Sequence, residues 1–476
     1  MARADRRPPL TVWLGIGAFA AGFGALSMLR HRSFETGRFD LGNMVQAVWF
    51  TAHGHPLRVT NLRGEQVLRL GAHLDPVLML FAPLWWLWPS PDLLLVAQST
   101  ALAVGALPVY RLARKHVGSR RAGVGFALTY LVYPATTWLA LNEFHPGALA
   151  TPALLFAFWY LDEDRLVPFA VFALLAAICR EDMPLVIAGF GVWYALARGR
   201  RREGGVIAAA SVAWTLVAVA LVIPQFRGGQ TPFVGRYSEA RAAALHHPWT
   251  LFSLAFDHIG IRYLLTLVLP LAGLCLLAPI ALAAVPPLAL NLLSAVPAQS
   301  SIHFHYTAAI IPPLVAAAVL GGARVRERVG APVASIALAT ALAGNYLLGA
   351  IPLWNELPHG ESLQSRAAVV TEHDRVAAHA LALIPPHAPV TATNSLGAHL
   401  SARARVLSFP YIQDAKWIAV DETRPGYADR LAPLPTAAQV VWLRHNPAWR
   451  LVFERDGVLV FHRVLPPSSG IVCRSR

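Results

Sequence analysis

The sequence predicts an α-helical polytopic membrane protein of about eleven spans with a small extracytoplasmic α/β domain at its C-terminal end. Of its 476 residues, 56% are hydrophobic and only 14% are charged, where a soluble domain is nearer one quarter charged. The apolar residues fall into about ten blocks of roughly 14 to 23 residues, the length scale of a bilayer crossing. The 40 basic residues outnumber 26 acidic ones, for a formal charge of +14, and apart from Lys115 and Lys416 all are arginines. A basic balance is compatible with nucleic acid. Here the arginines stand in short runs between apolar blocks, which orients a chain in a membrane, and no nucleic-acid partner is expected. Three cysteines exclude a disulfide framework and a cysteine-ligated zinc module. Cys179 and Cys275 lie in apolar segments and Cys473 in the tail, so none is an obvious nucleophile.

Arg3, Arg6 and Arg7 precede a first apolar stretch from Leu10 to about Leu29, read as an uncleaved span with a cytoplasmic N-terminus. Further basic clusters at Arg111–Arg121, Arg198–Arg202 and Arg324–Arg328 fit one path when all are cytoplasmic. Residues 30–91 then form an outer loop. Its segment 76–88 is too short to cross comfortably, and Trp85, Trp86 and Trp88 suit an interfacial or re-entrant helix. Spans follow near 92–112, 122–140, 147–161, 166–179, 183–197 and 205–224. A second outer loop, 225–260, carries surface helices around 237–246 and 248–258. Spans near 262–283, 285–298, 307–322 and 332–352 complete a transmembrane domain over residues 1–352.

Residues 353–476 change character and form the extracytoplasmic α/β domain, with a mixed sheet. Helices are expected at 375–384 and 395–403, and strands at 389–393, 406–409, 417–420 and 440–443. Two more strands, 451–454 and 458–461, flank Asp456-Gly457, a strong hairpin signal.

On this topology every histidine except His116 lies outside, and Asp40, Asp75, Glu143, Glu181 and Asp182 lie there too. Ionisable groups gathered at one end of an apolar bundle place the chemistry at that end. Asp40 is either a helix N-cap or a functional carboxylate near the membrane surface. Asp75 before Pro76 is a good N-cap, but His73 is not needed for that, and residues two apart share a face. His303 and His305 have the same spacing, and paired imidazoles are good metal ligands; the bland reading is two interfacial histidines. Glu143 and His145 sit in a polar turn between two spans. Arg180, Glu181 and Asp182 form either a buried ion cluster or a site for a cation or an acceptor hydroxyl. Arg227, Arg236, Tyr237 and Arg241 offer phosphate-binding geometry, against simple solvation or lipid headgroup pairing. No P-loop, dinucleotide glycine pattern, H-E-x-x-H or G-x-S-x-G motif stands out, so nucleotide-driven transport has no support.

Phe39-Asp40-Leu41-Gly42, His73-x-Asp75-Pro76, Glu143-Phe144-His145-Pro146, Arg180-Glu181-Asp182, His303-x-His305-Tyr306 and Thr393-Asn394-Ser395-Leu396 together resemble a family of prokaryotic membrane proteins of unknown function. That family looks related to the GT-C superfamily of polytopic glycosyltransferases. The resemblance extends from about residue 34 to 464. It implies a multi-pass protein of the cytoplasmic membrane that takes a sugar from a polyprenyl-phosphate donor. The acceptor would be an extracytoplasmic glycan, lipid or protein, and Asp40 the base or acceptor-positioning group. Glu181 and Asp182 would hold the acceptor or a divalent cation. Arg180, Glu143, His145, Arg236, Tyr237 and Arg241 would bind substrate. The first outer loop lacks an Asp-x-Asp or Glu-x-Asp pair. Two other readings start from the same clustering: a metal-dependent hydrolase or metal-binding protein using His73, Asp75, His145, His303 and His305, and a non-catalytic transporter or assembly partner.

Overall fold

A computed structural model of the chain describes residues 7–230, 232, 233, 235–330, 332–351, 368–430 and 435–465. Cys473 and the chain around residue 352 lie outside the described residues. The protein is mostly helical, with a small C-terminal sheet, and it divides into two compact units. One takes Met1–Ser27, Leu70–Val77 and Leu95–Ser365, as far as these are described; the other takes Met28–Arg69, Leu78–Leu94 and Arg366–Arg476. Residues 28–69 and 78–94 therefore group with the C-terminal α/β segment.

The first unit is built from apolar helices, and their lengths explain how they pack. Among the described residues, three helices are long and apolar enough to cross a membrane: Leu10–Arg32, Asp92–His116 and Arg201–Gln225. A fourth candidate is the pair Arg120–Val132 and Pro134–Leu141, bent by 47° where Pro134 removes a backbone donor. The helices Leu166–Ala177, Met183–Ala197 and Val333–Leu348 are apolar but shorter. Pro146–Asp162 packs on Leu166–Ala177, and Met183–Ala197 on Arg201–Val217. Glycines set the last of these approaches. A Cβ on Gly191 would come within 2.7 Å of Gly204 O, and one on Gly204 within 2.5 Å of Gly191 O. The two backbones therefore meet directly, a packing that only small residues allow.

The expected spans near 262–283 and 285–298 are not continuous helices. His258–Val268 gives way to 3₁₀ turns at Leu269–Leu271, Leu274–Leu277 and Pro279–Ala284, and the next helix is only Val285–Leu292. Pro270, Pro279, Pro286 and Pro287 each lack the N–H that an α-helix needs. Ala272 and Gly273 add left-handed backbone, with φ of 55° and 66°. The segment is apolar enough for a span and cannot be one helix.

In the second unit, β1 (Arg58–Thr60) and β2 (Gln66–Leu68) form a short antiparallel hairpin. The main sheet contains β3 (Val390–Ala392), β4 (Val406–Ser408), β5 (Trp417–Asp421), β6 (Trp449–Arg455) and β7 (Val458–Arg463), in the order β4-β3-β5-β7-β6. It is mixed: β3 runs parallel to β4 and β5, and β7 antiparallel to β5 and β6. Alternation along β7 explains its two covered faces. Val458 and Val460 pack with Val376 and Ala380 of the helix Glu372–Ala382, while Leu459 and Phe461 pack with Val440 and Leu443. Asp456 (φ 49°) and Gly457 (φ 74°) make the β6–β7 turn, which needs left-handed backbone at both positions.

Residues 440–443, expected as a strand, lie in the helix Thr436–His445. Four apolar residues in a row do not distinguish the two forms. The helix buries Val440 and Leu443, three apart, and leaves Val441 and Trp442 exposed. Phe461 is fully buried at the centre of this second core. Phe461→Ala should cost about 3–5 kcal/mol, read as a lower thermal midpoint; an unchanged midpoint would place Phe461 outside the core.

Candidate functional site

Most of the polar residues singled out in the first unit converge. The turn joining Leu166–Ala177 to Met183–Ala197 carries Arg180, Glu181 and Asp182. Glu181 is 5% exposed. Its carboxylate lies 2.9 Å from His73 Nδ1 and accepts the Leu74 N–H at 3.0 Å. Val77 N–H donates to Ile178 O at 3.1 Å, so residues 73–77 are strapped along this turn. Thr215 Oγ1 donates to the Glu181 carbonyl at 2.9 Å. Burial pushes the Glu181 carboxyl up, but the His73 charge and hydrogen bond, then Arg180, outweigh it and hold it at about 2.

Asp182 occupies the N-cap position of Met183–Ala197 without capping it by its side chain. Its carboxylate instead receives Arg180 Nε and Nη2, each at 2.5 Å, a bidentate ion pair. Burial lowers the Arg180 guanidinium pKa, and the Asp182 charge more than offsets this. Gly147 leaves room for that guanidinium: a Cβ there would sit 3.4 Å from Arg180 Nη1.

Next to Gly147 lies the Asn142–His145 turn, held by a residue the sequence reading passed over. Gln98, buried within Asp92–His116, donates to Glu143 O at 2.5 Å and accepts the His145 N–H at 2.8 Å. Glu143 takes left-handed backbone, φ 46°. Asn142 Oδ1 accepts the His305 N–H at 2.9 Å. The rings of His145 and His305 stack with centroids 3.6 Å apart and planes within 14°. Burial lowers His305 well below the ordinary imidazole value, and His145, Arg180, His73 and Arg236 push it the same way. Arg180, His73 and Arg236 thus lie within electrostatic range of His305. Tyr237 joins them: burial raises its hydroxyl pKa, which also senses Gln299, Arg236, Asp182 and Arg180. Arg236 is tied in through its carbonyl, which accepts Ala295 N–H at 2.9 Å. Arg241 is exposed on the helix Ser238–His246.

Four of the metal candidates separate. His73 faces Glu181. Asp75 is buried, and its charge acts on Cys179. His303 Nδ1 lies 2.8 Å from Ser301 Oγ and meets the Trp138 ring edge-on. His305 stacks on His145. Among the described residues, no group of three or more His, Cys, Asp and Glu side chains is arranged to hold a metal ion.

Asp40 belongs to the second unit. It sits in the π-helical turn Arg38–Gly42, continuous with the helix Asn43–Ala52, and accepts the Asn43 N–H through its carbonyl. It is therefore part of a helical run and not its N-cap. Arg38, 3% exposed, anchors the turn. It donates to Ser408 Oγ at 2.6 Å, Val406 O at 2.8 Å and Thr60 O at 2.8 Å. Burial pulls Arg38 down to about 10, still charged at neutral pH.

The fold is that of a mostly helical protein with a small C-terminal sheet. The structure matches that of ArnT from Cupriavidus metallidurans bound to undecaprenyl phosphate, a GT-C glycosyltransferase, with a TM-score of 0.52 and 13% identity. The match covers 94% of this chain and 97% of that one, and at this identity it concerns the fold. The chain belongs to the family described as "Predicted membrane protein (DUF2079)", whose model matches residues 30–460. Among curated proteins none matches the sequence.

Glu181→Gln keeps the shape of the side chain and removes its charge. A carboxyl held near 2 instead of 4.5 contributes stability that is present above pH 4.5 and lost as pH falls toward 2. The detergent-purified protein should lose thermal stability across that window. Glu181→Gln should start lower at pH 7 and decline less; a wild-type midpoint at pH 7 would show that the His73–Glu181 contact contributes nothing.

Proposed function

We propose that this protein is a membrane glycosyltransferase that moves a sugar from a polyprenyl-phosphate donor to an extracytoplasmic acceptor. The observation that carries the reading is the gathering of Arg180, Arg236, Tyr237 and the His73, His145 and His305 rings in the first unit. Such a set of donors suits a phosphate group. The GT-C fold, seen in ArnT with undecaprenyl phosphate bound, supports the same class of carrier.

In the transfer, the bond between the sugar anomeric carbon and the donor phosphate oxygen breaks, and a bond to the acceptor oxygen forms. The phosphate leaves with the electron pair, and guanidinium and imidazole donors stabilise its growing charge. The acceptor hydroxyl loses its proton to Asp40 as general base. Glu181 holds His73 and Leu74 in place, and Asp182 holds Arg180. The basic clusters face the cytoplasm on this reading, with the C-terminal α/β segment outside. A divalent cation is an open addition, settled by metal analysis of the purified protein.

Two variants test the reading in nanodiscs. Arg236→Gln should weaken binding of undecaprenyl phosphate about 10-fold or more, the size of a lost charge-assisted hydrogen bond. Asp40→Asn should leave that binding intact and reduce release of undecaprenyl phosphate from undecaprenyl-phosphate-linked sugars by roughly 100-fold or more. Undiminished turnover by Asp40→Asn would remove the base assignment, and unchanged binding by Arg236→Gln the phosphate assignment.

A further inference from the structure

The turn that carries Asp40 is enclosed on both flanks by the C-terminal part of the second unit. On one flank lies Asn394, in the Thr393-Asn394-Ser395-Leu396 motif at the start of the helix Asn394–His399. Its Oδ1 accepts the Phe39 N–H at 3.0 Å, one residue before Asp40. The approach is close enough to require glycine at position 37: a Cβ there would lie 2.4 Å from Asn394 Nδ2 and 3.1 Å from Cγ. Gly426 gives the amide its other wall, where a Cβ would stand 3.0 Å from both Asn394 Cβ and Nδ2.

Asn394 is itself held. Its backbone N–H donates to Asp429 Oδ1 at 2.8 Å, and Gly426 N–H donates to Asp429 Oδ2 at 2.7 Å. One carboxylate thus fixes both the start of the Asn394 helix and the glycine that faces its amide. On the other flank, Gly42 meets Ser401: a Cβ on Gly42 would lie 2.5 Å from Ser401 Oγ. Gly397 lies under Arg38, with a virtual Cβ 3.0 Å from the Arg38 Cβ and Cδ. The Asp40 turn is gripped before and after Asp40.

We infer that Asn394 is a positioning residue for Asp40: by holding the Phe39 amide it sets the direction of the next side chain, and the C-terminal segment serves as the scaffold of the acceptor-activating carboxylate. The inference rests on the proposed transferase role of Asp40. It assigns a function to the Asn394 motif that nothing else in the site uses. A helical turn with its leading N–H held by a fixed amide swings less than one held by water, and misplacing a reacting group by about 1 Å costs on the order of 100-fold in rate.

The test uses full-length protein in nanodiscs and three variants. Asn394→Ala removes the acceptor for the Phe39 N–H, and Asn394→Asp keeps it. Asp40→Asn reports on the base assignment itself. Hydrogen–deuterium exchange across residues 37–43 should rise in Asn394→Ala and stay near wild type in Asn394→Asp. With undecaprenyl-phosphate-linked sugar as probe, Asn394→Ala should lose about 10- to 100-fold in kcat with KM within about twofold, the pattern of lost transition-state positioning, and Asn394→Asp should recover most of it. Unchanged exchange in Asn394→Ala overturns the inference whether or not turnover is seen. So does wild-type kcat in Asn394→Ala while Asp40→Asn is inactive. An equal loss in kcat for the Ala and Asp variants, with exchange raised throughout the unit, marks a merely structural residue. A fully active Asp40→Asn instead fails the transferase reading, and the exchange result then stands by itself as a statement about the turn.

Discussion

A carboxylate removed from water must be met by fixed donors, or it gives up its charge. Glu181 is where the first unit satisfies that rule, and the arrangement of the polar cluster depends on it. With 5% of its surface exposed, Glu181 cannot exchange its partners for solvent. It therefore draws His73 and the Leu74 amide onto the turn after Leu166–Ala177. Arg180 contributes to holding its charge while pairing with Asp182. Those pairings leave the guanidinium beside Gly147, at the start of the helix whose N-cap is His145. Glu181 and Asp182 thus place His73 and Arg180.

The second unit meets the same rule with the opposite sign. Arg38 is buried, and it is satisfied largely by carbonyl and hydroxyl oxygens: Thr60, Val406 and Ser408. Such oxygens leave the guanidinium charge unneutralised, which is why burial draws its pKa down while the charge persists at neutral pH. Replacing any one of these oxygen acceptors by an apolar contact would leave a buried cation short of partners, the costlier half of the hydrogen-bond asymmetry. The consequence is a turn whose conformation is tied to the edge strand β4 of the sheet.

How much of this was legible in the sequence follows from whether each feature is local. The first helix and the helices after Pro146, Leu166 and Met183 were readable, because hydropathy acts over a few residues; 122–140 was read as one span, and its bend at Pro134 was missed. The broken stretch from Pro270 to Pro287 was misread for the converse reason: hydropathy averages composition and takes no account of missing N–H groups. Val440–Leu443 looked like a strand because a short apolar run has no period to measure. In the site, Glu181, His73, His145 and Arg236 each stood out as polar residues in apolar surroundings. Their pairing did not, since His73 and Glu181 are 108 positions apart. Gln98 carried a visible signal, an amide within an apolar block, whose partners lie more than 40 positions away. Asn394 was in view within one motif and Phe39 within another; only the fold shows that the first holds the second.

That last pairing bears on what the C-terminal segment is for. Arg38 and Ser408 are 370 positions apart, and joining the ends of a free loop of that length costs about 5 kcal/mol from the length term alone. Hydrogen bonds from a charged donor contribute roughly 1.5–3 kcal/mol each, so the two that span it, to Ser408 Oγ and Val406 O, offset most of the closure. The remainder has to come from apolar packing and from the close contacts at Gly37, Gly42, Gly397 and Gly426, which exclude larger side chains. A domain attached only to recruit a partner would have no use for such contacts on the turn Arg38–Gly42. Contacts that close around the turn bearing Asp40 are what a scaffold for that carboxylate requires, and they make the α/β sheet part of the proposed active site's architecture.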